Sequence, residues 1–223
     1  MYKLSTMTAK KKNLSANDII SKYMEYVMEH EHEPVSVYKF CKHEEIPEDQ
    51  FYQVAGSFEA LRKNIWKQFF DNTHEVMLQA DGYEALSAKD KMLTMFYTLF
   101  EVLTAKRSYV LFSLKGKKDK MKSLKELSEL RKAIKEFSGE LIQENNDEKQ
   151  LKILKHPVSI FSEGAWVQFL FLLKYWMDDT SKGFEKTDVA IEKSVRVIFD
   201  VFETTPLESI IDFGKFLWKE KMA

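Results

Sequence analysis

One cysteine, Cys41, stands in the whole chain, so an internal disulfide is excluded and a reducing, cytoplasmic setting is expected. On its apolar helix face it is expected to be a small core residue and not a nucleophile. Seven glycines and four prolines in 223 residues leave few tight turns and favour helix over sheet. Long apolar runs are missing as well. The longest, 165–177, is interrupted by Gln168 and Lys174 and is too short to span a bilayer. The opening MYKLSTMTAKKK has bases but no apolar stretch, so it does not read as a secretory signal. Absent too are a glycine-rich phosphate loop, Cys/His metal spacing, a serine-centred elbow and a paired-carboxylate motif. The five histidines are scattered at positions 30, 32, 43, 74 and 156. His30 and His32 lie close together, but on a helix end with no third ligand nearby in sequence. Neither enzyme chemistry nor a metal or cofactor is expected. A net charge of −1 gives no overall attraction to nucleic acid.

What the chain does have is helical pattern. Hydrophobic residues make up 44% of it, with 17 Phe, enough for a sizeable core in one or two domains. Ser15 to Asp18 resembles a capping box, and Ile19, Ile20, Tyr23, Met24, Val27 and Met28 form a stripe running to about His30, before Pro34. A helix is expected from Ser57 to about Gln79, with Leu61, Ile65, Trp66, Phe69, Phe70, Val76 and Met77. Another is expected over 88–106, apolar on more than half its circumference, then a short buried one over 109–114. The basic run 115–122 reads as a solvated loop or as a patch for an acidic partner. Leu124, Leu127, Leu130, Ile134, Phe137 and Leu141 mark an amphipathic helix. Residues 165–177 are apolar all round and belong in the centre; Asp178 to Gly183 end them in a polar turn. Two helices close the chain. The first spans about 186–202. The second opens at Thr205-Pro206-Leu207-Glu208, an N-cap with Pro at N1 and Glu at N3. The expected fold class is all-α.

The stretch 36–61, SVYKFCKHEEIPEDQFYQVAGSFEAL, has its own logic. Val37 and Phe40 share a face of one short helix, and Ile46 sits at a corner. Pro47 can open a second helix at N1, carrying Phe51 and Tyr52. Gly56 and Ser57 end it and cap a third. Helix, corner, helix, support helix is the shape of a helix-turn-helix. Over residues 15 to 70 the pattern resembles the TetR-type bacterial regulators. Their Ile-Ala pair corresponds to Phe40-Cys41, and their Gly-Val corner to Glu45-Ile46. Their Leu-Tyr pair corresponds to Phe51-Tyr52, and a Ser-Lys-Glu-x-Leu opening to residues 57–61, with no gap.

The resemblance implies a flexible tail (1–14), a helix-turn-helix domain (15–62) and a helical ligand-binding and dimerisation domain (63–223). It implies contact with double-stranded operator DNA through Ser36, Lys39, Glu48, Gln50, Tyr52, Gln53 and Ser57, with Gln50 and Gln53 as base readers. An apolar small molecule or lipid is expected in a pocket lined by Met95, Phe96, Phe100, Trp166, Phe169, Leu170 and Trp176, a filled core being the other reading of the same aromatic stripes. A homodimer is expected through the last two helices, at Ile191, Val195, Ile198, Phe202, Leu207, Ile211, Gly214 and Trp218.

Three departures stand against the DNA-binding part. The corner glycine is Glu45, the family's lysine at the start of the fourth helix is Phe58, and residues 47–53 hold Glu48 and Asp49 but no base. Residues 1–56 carry nine acids against seven bases; Arg62, Lys63 and Lys67 partly offset the acids. Lys10, Lys11 and Lys12 form either a solvated tail or an arm for DNA phosphates. The alternative function is therefore a TetR-fold protein that binds lipid or another apolar ligand and no longer binds DNA. The ubiquinone-biosynthesis lipid-binding proteins, similar in fold, offer such a case.

Overall fold

A computed structural model describes residues 14–115, 124–147 and 158–204. Among these residues there is α-helix, short 3₁₀ helix and turn, and no strand. The chain divides into two compact units, residues 1–65 and 66–223. Lys10 to Lys12, most of the basic run 115–122 and the final helix expected from Thr205 lie outside the described residues.

In the first unit α1 spans Ala16–His30, opened by a complete capping box between Ser15 and Asp18. Its stripe Ile19, Ile20, Tyr23, Met24 and Val27 is buried, as the helical spacing requires. Helix α2 covers Val37–His43 and α3 covers Glu48–Val54. Between them Ile46 donates its N–H to the Cys41 carbonyl at 2.8 Å, and Glu45 sits in the left-handed region at φ 56°. This is a Schellman corner, built without the glycine that normally serves it. Ile46 and Cys41, the pair that such a corner packs together, are both buried. Pro47 takes the N-cap position of α3 and not N1: its ψ of 132° is still extended.

Helix α4 spans Phe58–Leu78. Its opening residue solves the puzzle of the missing lysine. The Phe58 ring packs on Tyr23 (5.5 Å), Phe40 (5.7 Å) and Phe51 (5.5 Å), so three helices meet on one aromatic side chain. Phe40 and Phe51 are fully buried. Asn64 then donates to the Val54 carbonyl at 3.0 Å and pins the end of α3.

The second unit holds the rest of α4, a 3₁₀ turn at Tyr83–Ala85, α5 (Ala88–Ala105), α6 (Arg107–Lys115), α7 (Ser128–Asp147), α8 (Val158–Asp178), a 3₁₀ turn at Lys182–Phe184, and α9 (Glu185–Thr204). Helix α8 begins seven residues ahead of the apolar run at 165, because Phe161 and Ser162 already face inward. It lies along α7, and α9 packs on α5 and α8.

The α8–α9 junction is tightly built. The Asp179 carboxylate accepts from the N–H and hydroxyl of both Ser181 and Thr187, at 2.7–3.0 Å. Arg107 donates to the carbonyls of Trp176, Met177 and Asp179. Its guanidinium lies between the Trp176 ring (4.2 Å) and the Phe184 ring (4.4 Å). The adjacent acids Asp178 and Asp179, polar-turn residues by sequence, therefore divide their work: one is exposed and the other is a buried cap.

Candidate nucleic-acid interface

On α3, positions 49, 52 and 53 follow the i, i+3, i+4 spacing that places side chains on one helix face. Asp49, Tyr52 and Gln53 are all exposed. Gln50 is not: it is 6% exposed, and its Oε1 accepts the Leu14 N–H at 3.1 Å. Expected as a base reader, Gln50 is instead an inward-facing anchor for the chain entering α1. A polar side chain one position from the outward face gives no sequence sign of this. Glu48 is half-buried. Burial of the Cys41 thiol, and after it the charge of Glu48, pushes that thiol up to about 11, so it stays protonated.

The remaining expected contacts sit at helix starts. Ser36 caps α2, its hydroxyl accepting the Lys39 N–H at 3.3 Å, and Ser57 receives the Ala60 N–H at 3.2 Å. Lys39 and Lys42 are exposed along α2, beside Tyr38. The bases on α4 expected to offset the acids are engaged elsewhere. Arg62 is buried and bonds Glu33 at 2.9 Å, Lys63 meets Glu59, and Lys67 meets Asp71. Across residues 14–65 ten acids stand against five bases.

The fold also gathers three of the five histidines. His30, His32 and His43 surround the Tyr26 ring at 4.1, 6.3 and 5.2 Å. His43 comes from α2, far from the other two in sequence, so spacing alone could not find it. Among the described residues no three His, Cys, Asp or Glu side chains form a group able to hold a metal ion.

In the second unit the expected pocket residues do come together, as packed core. Met95, Phe96, Phe169 and Trp176 have no exposure, and Phe100 and Trp166 very little; Leu170 is half-buried. Phe100 lies 6.1 Å from Phe169 and 6.0 Å from Trp176, and Trp166 stacks on Phe169 at 5.4 Å. Trp176 donates its Nε1–H to Thr104 at 3.1 Å. Two surface clefts, of about 380 and 420 Å³, are lined by other residues: one by Phe171, Lys174, Tyr175 and their neighbours, the other by Arg131, Lys132, Lys135 and theirs.

The expected dimer residues divide. Ile191 and Val195 are buried inside the single chain, and Ile198 is half-buried. Phe202 falls near the end of α9; Leu207, Ile211, Gly214 and Trp218 lie outside the described residues. Among the described side chains, the large exposed apolar residues of α9 are Val189, Val197 and Val201, and those of α8 are Val167, Phe171 and Tyr175.

Residues 91–217 match the family model described as tetracyclin repressor-like, C-terminal domain. That is more than half of the chain. The protein belongs to the TetR family. No curated protein and no solved structure matches it. The matched span covers α5 to α9 and the residues after them, whereas the resemblance read from the sequence lay at residues 15–70. The family match therefore rests on the C-terminal part of the chain, outside residues 15–70. No helix among its described residues is long and apolar enough to cross a membrane.

Proposed function

We propose that the protein is a homodimeric TetR-type transcriptional regulator that binds operator DNA through α2 and α3 and answers to an apolar small molecule. The observation that carries the DNA-binding part is the α2–α3 corner. The Ile46-to-Cys41 hydrogen bond and the Phe58 ring cluster hold two short helices at a fixed angle with Asp49, Tyr52 and Gln53 turned outward. A head of this build presents a short helix to the major groove. Lys39 and Lys42 on α2 and the hydroxyls of Ser36 and Ser57 supply the phosphate contacts. The second copy is expected to bury the exposed rows of α8 and α9. An apolar ligand would enter by parting the ring contacts among Phe100, Trp166 and Phe169. Its effect on DNA affinity would be matched by an equal effect of DNA on ligand affinity.

One observation favours a second function. Ten acids against five bases across residues 14–65 work against a phosphate backbone. A TetR-fold dimer that binds lipid or another apolar ligand, without DNA, would need no basic head. Fluorescence anisotropy with duplexes from the flanking intergenic region, at 50 mM and 200 mM salt, separates the two. Salt-sensitive binding that weakens in Gln53→Ala supports the regulator. A folded dimer that binds no duplex at either salt, yet co-purifies with lipid by mass spectrometry, supports the alternative.

A further inference from the structure

We propose that α3 reads its half-site through a carboxylate and an amide, so that it selects cytosine and adenine and not guanine; this rests on the DNA-binding function proposed above. Residues 44–61 contain no lysine or arginine. In the major groove guanine shows two acceptors, N7 and O6, and its commonest partner is a bidentate arginine or lysine. Helix α3 has none to offer. Its exposed face carries Asp49, Tyr52 and Gln53, while Gln50 is removed from it by burial and by its bond to the Leu14 N–H.

The only major-groove amines are cytosine N4 and adenine N6. A carboxylate on the face of α3 accepts from cytosine N4. A glutamine one turn further on pairs with adenine through N6 and N7. The charge that makes Asp49 selective also repels the phosphates on either side, so this head gives up affinity across all sequences. Lys39 and Lys42 restore part of that attraction without choosing a base.

The test is selection of bound duplexes from a randomised library by the full chain at low salt, repeated with Asp49→Asn, Gln53→Ala and Lys39→Gln. The expected wild-type motif has a cytosine and an adenine at the α3 contact positions. Asp49→Asn should bind random duplex more tightly, because a repelling charge is gone. It should also lose preference at the cytosine position by about tenfold, the scale of one matched base contact. Gln53→Ala should lose preference at the adenine position alone. Lys39→Gln should weaken every sequence alike and leave the motif unchanged. A motif without a C·G pair and an A·T pair at these positions, or one that Asp49→Asn leaves unaltered, overturns the inference while sparing the regulator. No enrichment by a folded dimer overturns both.

Discussion

Glu45 holds its backbone at φ 56° with a side chain that disfavours it. For an L-residue this conformation costs roughly 1–2 kcal/mol, and glycine would remove that cost while losing some entropy in the unfolded chain. Glu45→Gly is expected to stabilise the head by about 0.5–1 kcal/mol, seen as a higher urea midpoint with unchanged slope. A lower midpoint would mean that the Glu45 side chain makes a compensating contact. This strain was legible in the sequence, because Glu45 falls where the family places glycine. Asp179 was not, since nothing in two adjacent acids says which one turns inward. Burial pushes its carboxyl up, but the hydrogen bonds from Ser181 and Thr187 outweigh burial and bring it down to about 2. A lowered folded value means the stabilisation is complete above the unfolded value near 3.8 and fades as pH falls toward 2. Asp179→Ala should cost roughly 1–3 kcal/mol by stranding buried donors. It should also flatten the stability profile between pH 4 and pH 2, as followed by thermal melts.

At the level of elements, period and caps were enough for α1, α4 and α5, because a buried stripe at helical spacing and a Ser–Asp capping box act locally. Tertiary choices were not readable. Arg62 counts as a base in sequence, yet the fold buries it and pairs it with a partly exposed Glu33. Gln50 counts as an outward amide, yet it faces in. The aromatic set on α5 and α8 fits either a filled core or a pocket, and no sequence pattern says that its rings pack on one another at about 6 Å. Phe58 links these levels. Returning the family's lysine there should not simply restore a phosphate contact, because α1, α2 and α3 all pack on that ring. Phe58→Lys is expected to lose about 2–4 kcal/mol of head stability. Circular dichroism melts of this variant should show the loss, with Phe58→Leu falling in between. A lysine variant that melts like wild type would remove Phe58 from the core of the head.

For the molecule as a whole the open question is what covers α8 and α9. Val167, Phe171 and Tyr175 recur every four residues on α8, and Val189, Val197 and Val201 share one face of α9. Phe171 is 55% exposed and Val167 63%, which is costly for a lone chain in water. The inner stripe of α9 is already spent: Ile191 and Val195 are buried in the chain's own core. In the proposed dimer a partner would therefore meet the outer rows of α9 together with those of α8. Phe171→Glu puts a charge in the middle of that face while leaving the protomer's core untouched. Light scattering after size exclusion should show wild-type dimer and Phe171→Glu monomer at micromolar concentration. Val195→Ala, its inner counterpart, should lower the melting temperature and leave the dimer intact. If Phe171→Glu stays dimeric, the subunits meet elsewhere. If Val195→Ala alone dissociates them, the inner stripe governs association after all. A monomeric Phe171→Glu should also bind a two-half-site duplex far more weakly than wild type, because two heads held together share one binding event.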